Sequence, residues 1–478
     1  MPHLATIEKR GIPSVFIIYE DQDVCFGEAA KLNGIPYLRR VNCSRTIPGP
    51  EDVDRWIDDL MDALVRPLNA EETAGGRWEE PDKRVLFEGT LEEAEEFYQQ
   101  TMIVPSLQNA PFSVYTDGMP VVTPTEERVA KMLTGTSHPA DEIIRYQSTH
   151  QLGDRINQMG SSGIKGDPVY FMPMRRMATV EKVATIGVMA GCKPEHMPIL
   201  LTMAESGGGC SDGRGGGGFC ISGPIAKEIG MNFDINILGP GNPSNKCLGR
   251  ALDLMWRNFG QQIPTVNNVG VWGNARGNVF PENDDALPPG WSTLREEYDF
   301  GKDDSILLPA GFGGGGTHFS PGGYRAFQKS GHGGIARRLG VKGVPGSKNW
   351  LEYEVPGWWK CGEGGMGILM LPQMAQHLYE AGFKTKDDIY EWIYKQSFMT
   401  VREYRTHSWP DMRTNAWKGI ERTSGKHWLE LNEDYLVPAC EDPFSNLVIV
   451  SGGGEEVALF GGGRMPGMDA AWHIDPWR

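Results

Sequence analysis

Six residues have the type and setting for chemistry. Glu181 and Lys182 open the segment Ala178–Ser206, ATVEKVATIGVMAGCKPEHMPILLTMAES, whose first half is apolar or small almost all round. A charge buried there is costly unless paired, and such sites shift pKa values toward catalytic usefulness. The alternative is solvent-facing charge at a helix N-terminus, which the helix dipole favours for Glu181 but not for Lys182. Cys192, in the turn MAGCKPEH, is either a nucleophile or a buried packing residue; only Lys193 and His196 stand near enough in sequence to lower its pKa. Cys210 lies in a glycine-rich loop with Arg214, which favours a thiolate, whereas Cys220 lies in an apolar strand and reads as packing. Glu282, in FPENDDALPPGW, follows an apolar run and can serve as a carboxylate base, although Asp284 and Asp285 also fit a solvated acidic turn. His318 and His332 flank Arg325 and Lys329 in THFSPGGYRAFQKSGHGG, the makings of an anion or acid–base site or of two surface histidines.

Other chemistries lack their signatures. There is no GxxxxGK[ST], and no GxGxxG that both follows a strand and opens a helix. The eight cysteines form no CxxC pair and no finger-like ligand spacing, so they read as reduced thiols with no metal expected. Net charge is −16 without a basic run, which sets nucleic acid aside as a partner. No apolar run approaches the roughly 20 residues of a membrane span, and no apolar signal segment opens the chain. A cytoplasmic location is therefore expected. Glycine is over-represented, at 62 of 478 residues or 13 % against about 7 % in ordinary proteins. Its six clusters suggest a loop-built site or interface.

The elements that must position these residues alternate strand and helix. Ser14–Tyr19 reads as a continuous apolar strand, the pattern of a sheet buried on both faces. Glu28–Asn33 reads as a helix ended by Gly34, and Tyr37–Val41 as a second, more polar strand. Pro50 then starts a helix with Val53, Trp56, Ile57, Leu60, Met61, Leu64 and Val65 at a 3.6 period. Two strands make too small a sheet to bury its faces, so a further strand from elsewhere is expected beside Val15–Ile18. Beyond a polar stretch over 69–84, helices are expected over 88–100, 123–133, 178–192, 198–205, 246–258, 371–381 and 387–396, the last N-capped by Thr385. Phe219–Ser222 and Asn446–Val450 read as strands.

Several stretches resemble the UGSC-motif (seleno)protein family. They are ATVEKVA…VMAGCKPE, SGPIAKEIGMN at 222–232, LGPGNPSNKCLGRAL at 238–252, FPENDDALPPGW at 280–291, LMLPQMAQHLYEAGF and VIVSGGG, with KRGIPSVFIIYE in the smaller N-terminal domain. The family's namesake motif, a strand–loop–helix bearing Sec-Gly-Ser-Cys or its cysteine version, is not in this sequence. Where relatives carry a Thr-Thr-His-Pro type loop, this chain has ESGGGCSDGRGGGGFC. The small domain of that family is similar to the selenoprotein B type subunits of glycine-type reductases, in which a selenolate or thiolate attacks carbon.

The expected fold class is thus α/β. A partial doubly wound parallel-sheet domain spans 1–70, a linker and helix 71–116, and a larger α/β body with glycine-rich loops 117–478. The resemblance implies the large subunit of a thiol- or selenol-dependent enzyme that works by reductive cleavage or transfer at a carbon centre, with an external thiol as reductant. A second polypeptide would complete the N-terminal domain and carry the nucleophile, making a hetero-oligomer around a small-molecule substrate. Glu181, Lys182, Cys192, Cys210, Glu282 and His318 are the candidate catalytic residues. A non-redox lyase or hydratase, or a non-catalytic scaffold, are the other readings.

Overall fold

A computed structural model describes residues 4, 7–8, 10–20, 23–32, 34–44, 49–73, 83–103, 111–150, 161–171, 176–207, 218–261, 277–310, 320–322, 348–361, 365–403, 421, 424–427, 430–440, 442–454, 456–464 and 471–478. Cys210, His318 and His332 lie outside these. The chain is a mixed α/β protein that divides into two compact units, one of residues 1–215, 250–274 and 477, the other of 216–249, 275–476 and 478. These boundaries differ from those expected at residues 70 and 116.

The first unit opens with β1 (Val15–Tyr19), α1 (Asp23–Leu32), β2 (Arg39–Cys43) and α2 (Pro50–Val65). β1 and β2 pair in parallel, Val15 opposite Arg39 and Tyr19 opposite Cys43, with α1 as the crossover. Ile18, Phe26, Ala30 and Leu38 form a small core between α1 and the sheet, and Phe16 stacks on Phe26. α2 meets the sheet with Trp56, Leu60 and Ala63 half-buried, and no α2 residue is fully buried. After α3 (Leu91–Tyr98) and the short pair β3 (Thr101–Met102) and β4 (Phe112–Ser113), three helices pack together. They are α4 (Glu126–Leu133), α5 (Val180–Ala190) and α6 (Met197–Glu205). Gly187 lets them approach: a Cβ there would stand 2.7 Å from both Leu200 Cδ1 and Met132 Cε.

In the second unit, β5 (Gly218–Ser222), β6 (Asn278–Pro281) and β7 (Ile306–Pro309) join β14 (Trp472–His473) in a sheet of order β14-β7-β5-β6. Only β5 and β6 run parallel in it, with α7 (Pro243–Asn258) between them in the chain. A second sheet, of order β12-β9-β13-β8, holds β8 (Ser320–Gly322), β9 (Met366–Met370), β12 (Leu447–Val450) and β13 (Ala458–Gly462). β9 and β12 pair in parallel and are apolar throughout because both faces are covered. Leu369, Leu447 and Ile449 point into a core shared with Cys220, Phe280, Ile306 and Leu308 of the first sheet. Their neighbours Ile368, Met370, Val448 and Val450 point the other way. There they meet α8 (Leu351–Cys361), α9 (Pro372–Ala381) and α10 (Lys386–Gln396) through Val355, Leu378 and Ile389. The layers are therefore sheet, sheet and helices. A short pair, β10 (Phe398–Thr400) with β11 (Leu436–Pro438), flanks α10.

Candidate functional site

Glu282 sits immediately past β6, and Ser222 ends β5. The carboxyl ends of parallel strands are where open α/β sheets hold functional groups. Glu282 is not part of a solvated turn. Its side chain is 0 % exposed and that of Lys386, the first residue of α10, is 2 % exposed; the ammonium lies 3.1 Å from Glu282 Oε1. Glu282 Oε2 accepts the Leu294 N–H at 2.8 Å, and Ser222 hydrogen-bonds to the same carboxylate. Lys386 Nζ also stands 2.8 Å from Glu297 Oε1. Glu297 Oε2 accepts from Tyr390 Oη at 2.9 Å and from Arg464 Nη2. Arg464 further donates from Nε to Tyr298 Oη at 3.0 Å and from Nη1 to the Phe444 carbonyl at 3.0 Å, with its guanidinium 3.7 Å from the Phe444 ring centroid.

Two carboxylates and two cations thus alternate along one buried chain. Burial pushes the Glu282 pKa up, against the pull of Lys386. Burial works to lower Lys386, but Glu297 and Glu282 outweigh it and hold the ammonium protonated. Among the described residues, the hydrogen-bond and ion-pair partners of the Glu282 carboxylate are donors, which fits an ionised carboxylate. Burial raises the Tyr390 phenol well above its ordinary value. The acidic turn expected beside Glu282 is divided: Asp284 pairs with the buried Arg295 at 2.6 Å, and exposed Asp285 pairs with Lys227 at 2.8 Å. Buried from solvent among the described residues, the Glu282 network positions the strand ends and α10.

Glu181 and Lys182 occupy the first turn of α5, behind the N-cap Thr179, whose hydroxyl accepts the Lys182 N–H at 3.3 Å. Glu181 pairs with exposed Arg84 at 2.8 Å. Cys192 follows the other end of that helix; at 1.5 Å per residue this separates it from Glu181 by roughly 15 Å. The structure therefore does not gather Glu181, Lys182 and Cys192 into one pocket. Burial raises the thiol pKa at Cys43 and Cys220, and pushes that of Cys440 up to about 11.

One buried acid went unread in the sequence. Glu205 ends α6 and is 2 % exposed. It accepts Trp477 Nε1 at 2.6 Å, the Gln147 N–H at 2.7 Å and the Ser148 N–H. Burial pushes its pKa up to about 7 against these donors. The signal was a lone Glu closing the apolar run PILLTMAE.

The N-terminal strands present a different surface. Phe16, Ile17 and Tyr19 of β1 are exposed, as are Val53, Ile57, Met61 and Leu64 of α2. Among the described residues β1 pairs only with β2, so its other edge is open. A cleft of about 350 Å3 lies close by, lined in part by Glu8, Tyr37, Arg39, Leu64 and Glu72. Its cation is engaged: Arg39 donates to the Ala63, Arg66 and Pro67 carbonyls at the end of α2 and pairs with Glu72 at 2.8 Å. The hydrogen bond from Arg39 pulls the Glu72 carboxyl down to about 2. No helix among the described residues is long and apolar enough to cross a membrane. Comparison with protein-family models, curated proteins and solved structures finds no match to this chain.

Proposed function

We propose that this chain is the large, substrate-binding subunit of a thiol- or selenol-dependent enzyme acting reductively at a carbon centre. The nucleophile belongs to a second polypeptide that docks on the N-terminal strands and continues a doubly wound sheet there. The observation that carries the reading is the uncovered apolar face of β1 and α2 beside an open parallel-strand edge. A few hundred Å2 of such surface, at about 25 cal/mol per Å2, amounts to several kcal/mol available to an occupant. The resemblance to UGSC-motif proteins supplies the chemistry, and the burial-raised pKa values of Cys43, Cys220 and Cys440 suit a nucleophile carried elsewhere.

The occupant is an apolar strand with a basic rim. α2 carries Glu51, Asp52, Asp54, Asp58, Asp59 and Asp62 against the single cation Arg55. A second copy of this chain would set that acidic helix near its own like, in a protein of net charge −16. A basic partner gains from the same field.

The test is purification of the tagged chain from its native source. The co-purifying polypeptide should carry a thiol or selenol that iodoacetamide alkylates, and the doubly substituted Ile57→Glu, Met61→Glu chain should lose it. A fully active assembly containing this chain alone refutes the reading.

A further inference from the structure

We infer that Asp304, His473 and Asp475 bind a divalent transition-metal ion of the zinc class, at a site independent of the proposed docking surface. The three side chains come from two stretches far apart in sequence. Asp304 stands two residues before β7, His473 is in β14, and Asp475 follows it. The backbone fixes them together: His473 is opposite Ile306 in the antiparallel pair, and the Ile474 N–H donates to the Ser305 carbonyl at 2.8 Å. One ligand atom from each residue lies within 4.8 Å of the others.

The distances discriminate between an ion pair and a ligand set. His473 Nε2 is 3.5 Å from Asp304 Oδ1 and 3.3 Å from Asp475 Oδ2. Both exceed the range of a good N–H···O bond, and this buried nitrogen hydrogen-bonds to neither. A zinc-class ion with bonds of about 2.1 Å in tetrahedral geometry holds neighbouring ligand atoms about 3.4 Å apart. The two spacings from His473 Nε2, 3.5 Å and 3.3 Å, match that separation.

Further hydrogen bonds orient both carboxylates, as supporting groups do around metal ligands. Asp304 Oδ2 accepts the Gly301 N–H at 2.7 Å, which leaves Oδ1 facing the histidine. Asp475 Oδ1 accepts from Arg478 Nε at 2.6 Å, and its Oδ2 accepts the Ser305 N–H at 2.7 Å with a lone pair to spare. The Phe300 ring packs tilted against the imidazole, with centroids 5.2 Å apart. One imidazole nitrogen with two carboxylate oxygens suits zinc, cobalt or manganese rather than calcium or magnesium. Bound there, the ion would tie β14 to the start of β7.

The experiment titrates the full chain, stripped with chelator, with Co2+ and then Zn2+, beside the variants His473→Ala and Asp304→Asn. The eight cysteines are competing ligands, so the spectrum matters as much as the stoichiometry. Wild type should bind one equivalent more than His473→Ala, without a thiolate-to-cobalt charge-transfer band for that equivalent. Asp304→Asn should weaken it at least tenfold. Melting curves taken without metal show whether the variants fold. If His473→Ala does not fold, X-ray absorption on zinc-loaded wild type decides, with a nitrogen- and oxygen-only component expected. Equal stoichiometry in wild type and a folded His473→Ala variant, or sulfur ligation for all the bound metal, overturns the assignment.

Discussion

Replacing Lys386 by Met tests whether the buried chain of charges is a structural clamp. The substitution keeps the length of the side chain and removes the ammonium that stands 3.1 Å from Glu282 and 2.8 Å from Glu297. Glu297 retains Arg464, but Glu282 is left as an uncompensated buried anion. Breaking one side of such a pair costs about 3–5 kcal/mol. With a slope of about 3 kcal/mol per molar urea for a unit of this size, the midpoint should fall by about 1–1.7 M. Equilibrium unfolding followed by tryptophan fluorescence reads this directly, since Trp350 and Trp359 lie in the core beside α10. Adding Glu282→Gln removes the stranded charge, so the double variant should recover about 2 kcal/mol relative to Lys386→Met. The sign with pH also follows. Burial already raises Glu282, and loss of Lys386, which lowers it, raises it further. The single variant should therefore regain stability as falling pH protonates Glu282, a gain lost as pH rises through its folded pKa. A loss below 1 kcal/mol, or a double variant as unstable as the sum of the singles, would refute the clamp.

At Glu205, a folded pKa of about 7 against an ordinary 4.5 implies about 3 kcal/mol of stability lost as pH rises from 4.5 through 7. Denaturant titrations at pH 5 and pH 8 should show that fall in wild type and not in Glu205→Gln. Gly365→Ala should cost about 2–4 kcal/mol, because its φ is +130° and a Cβ would stand 2.1 Å from the Ser445 carbonyl oxygen; thermal melts check this. Ile57→Glu with Met61→Glu should leave unfolding within about 1 kcal/mol while abolishing capture of the alkylatable partner, since both side chains are more than half or about half exposed.

Local patterns carried much of the architecture into the sequence. The apolar run forms β1 over Val15–Tyr19, but it is not buried on both faces as expected: only Ile18 is buried, because the described sheet has just two strands. The 3.6-period segment after Pro50 is α2, and Thr385 caps α10 as its position before Lys386 suggests. Helices expected over 371–381 and 198–205 form as Pro372–Ala381 and Met197–Glu205. The second strand begins two residues later, at Arg39, because Tyr37 and Leu38 lie in a turn closed by the Leu38 N–H donating to the Ile35 carbonyl at 3.0 Å. Charge partnerships were not legible. Glu282 was visible as an acid after a strand, but its partner Lys386 is 104 residues away and Arg464 is further still. Lys182 drew attention for a charge on an apolar helix, while the residue that is buried and charged, Lys386, looked like an ordinary helix start. The Asp304–His473–Asp475 cluster arises only when β14 pairs with β7.

Trp477 is the final tie for Glu205, and the two are 272 residues apart. Its carbonyl also accepts the Thr136 hydroxyl at 2.8 Å, 341 residues upstream, and its ring lies 4.6 Å from that of His138. A ribosome adding about 5–20 residues per second takes roughly 15–55 s to travel from Glu205 to Trp477. For that interval the nascent chain holds α6 with its terminal carboxylate lacking the indole donor. Contacts of such sequence separation close late and slowly. Slower elongation would lengthen the interval during which Glu205 waits for its indole partner.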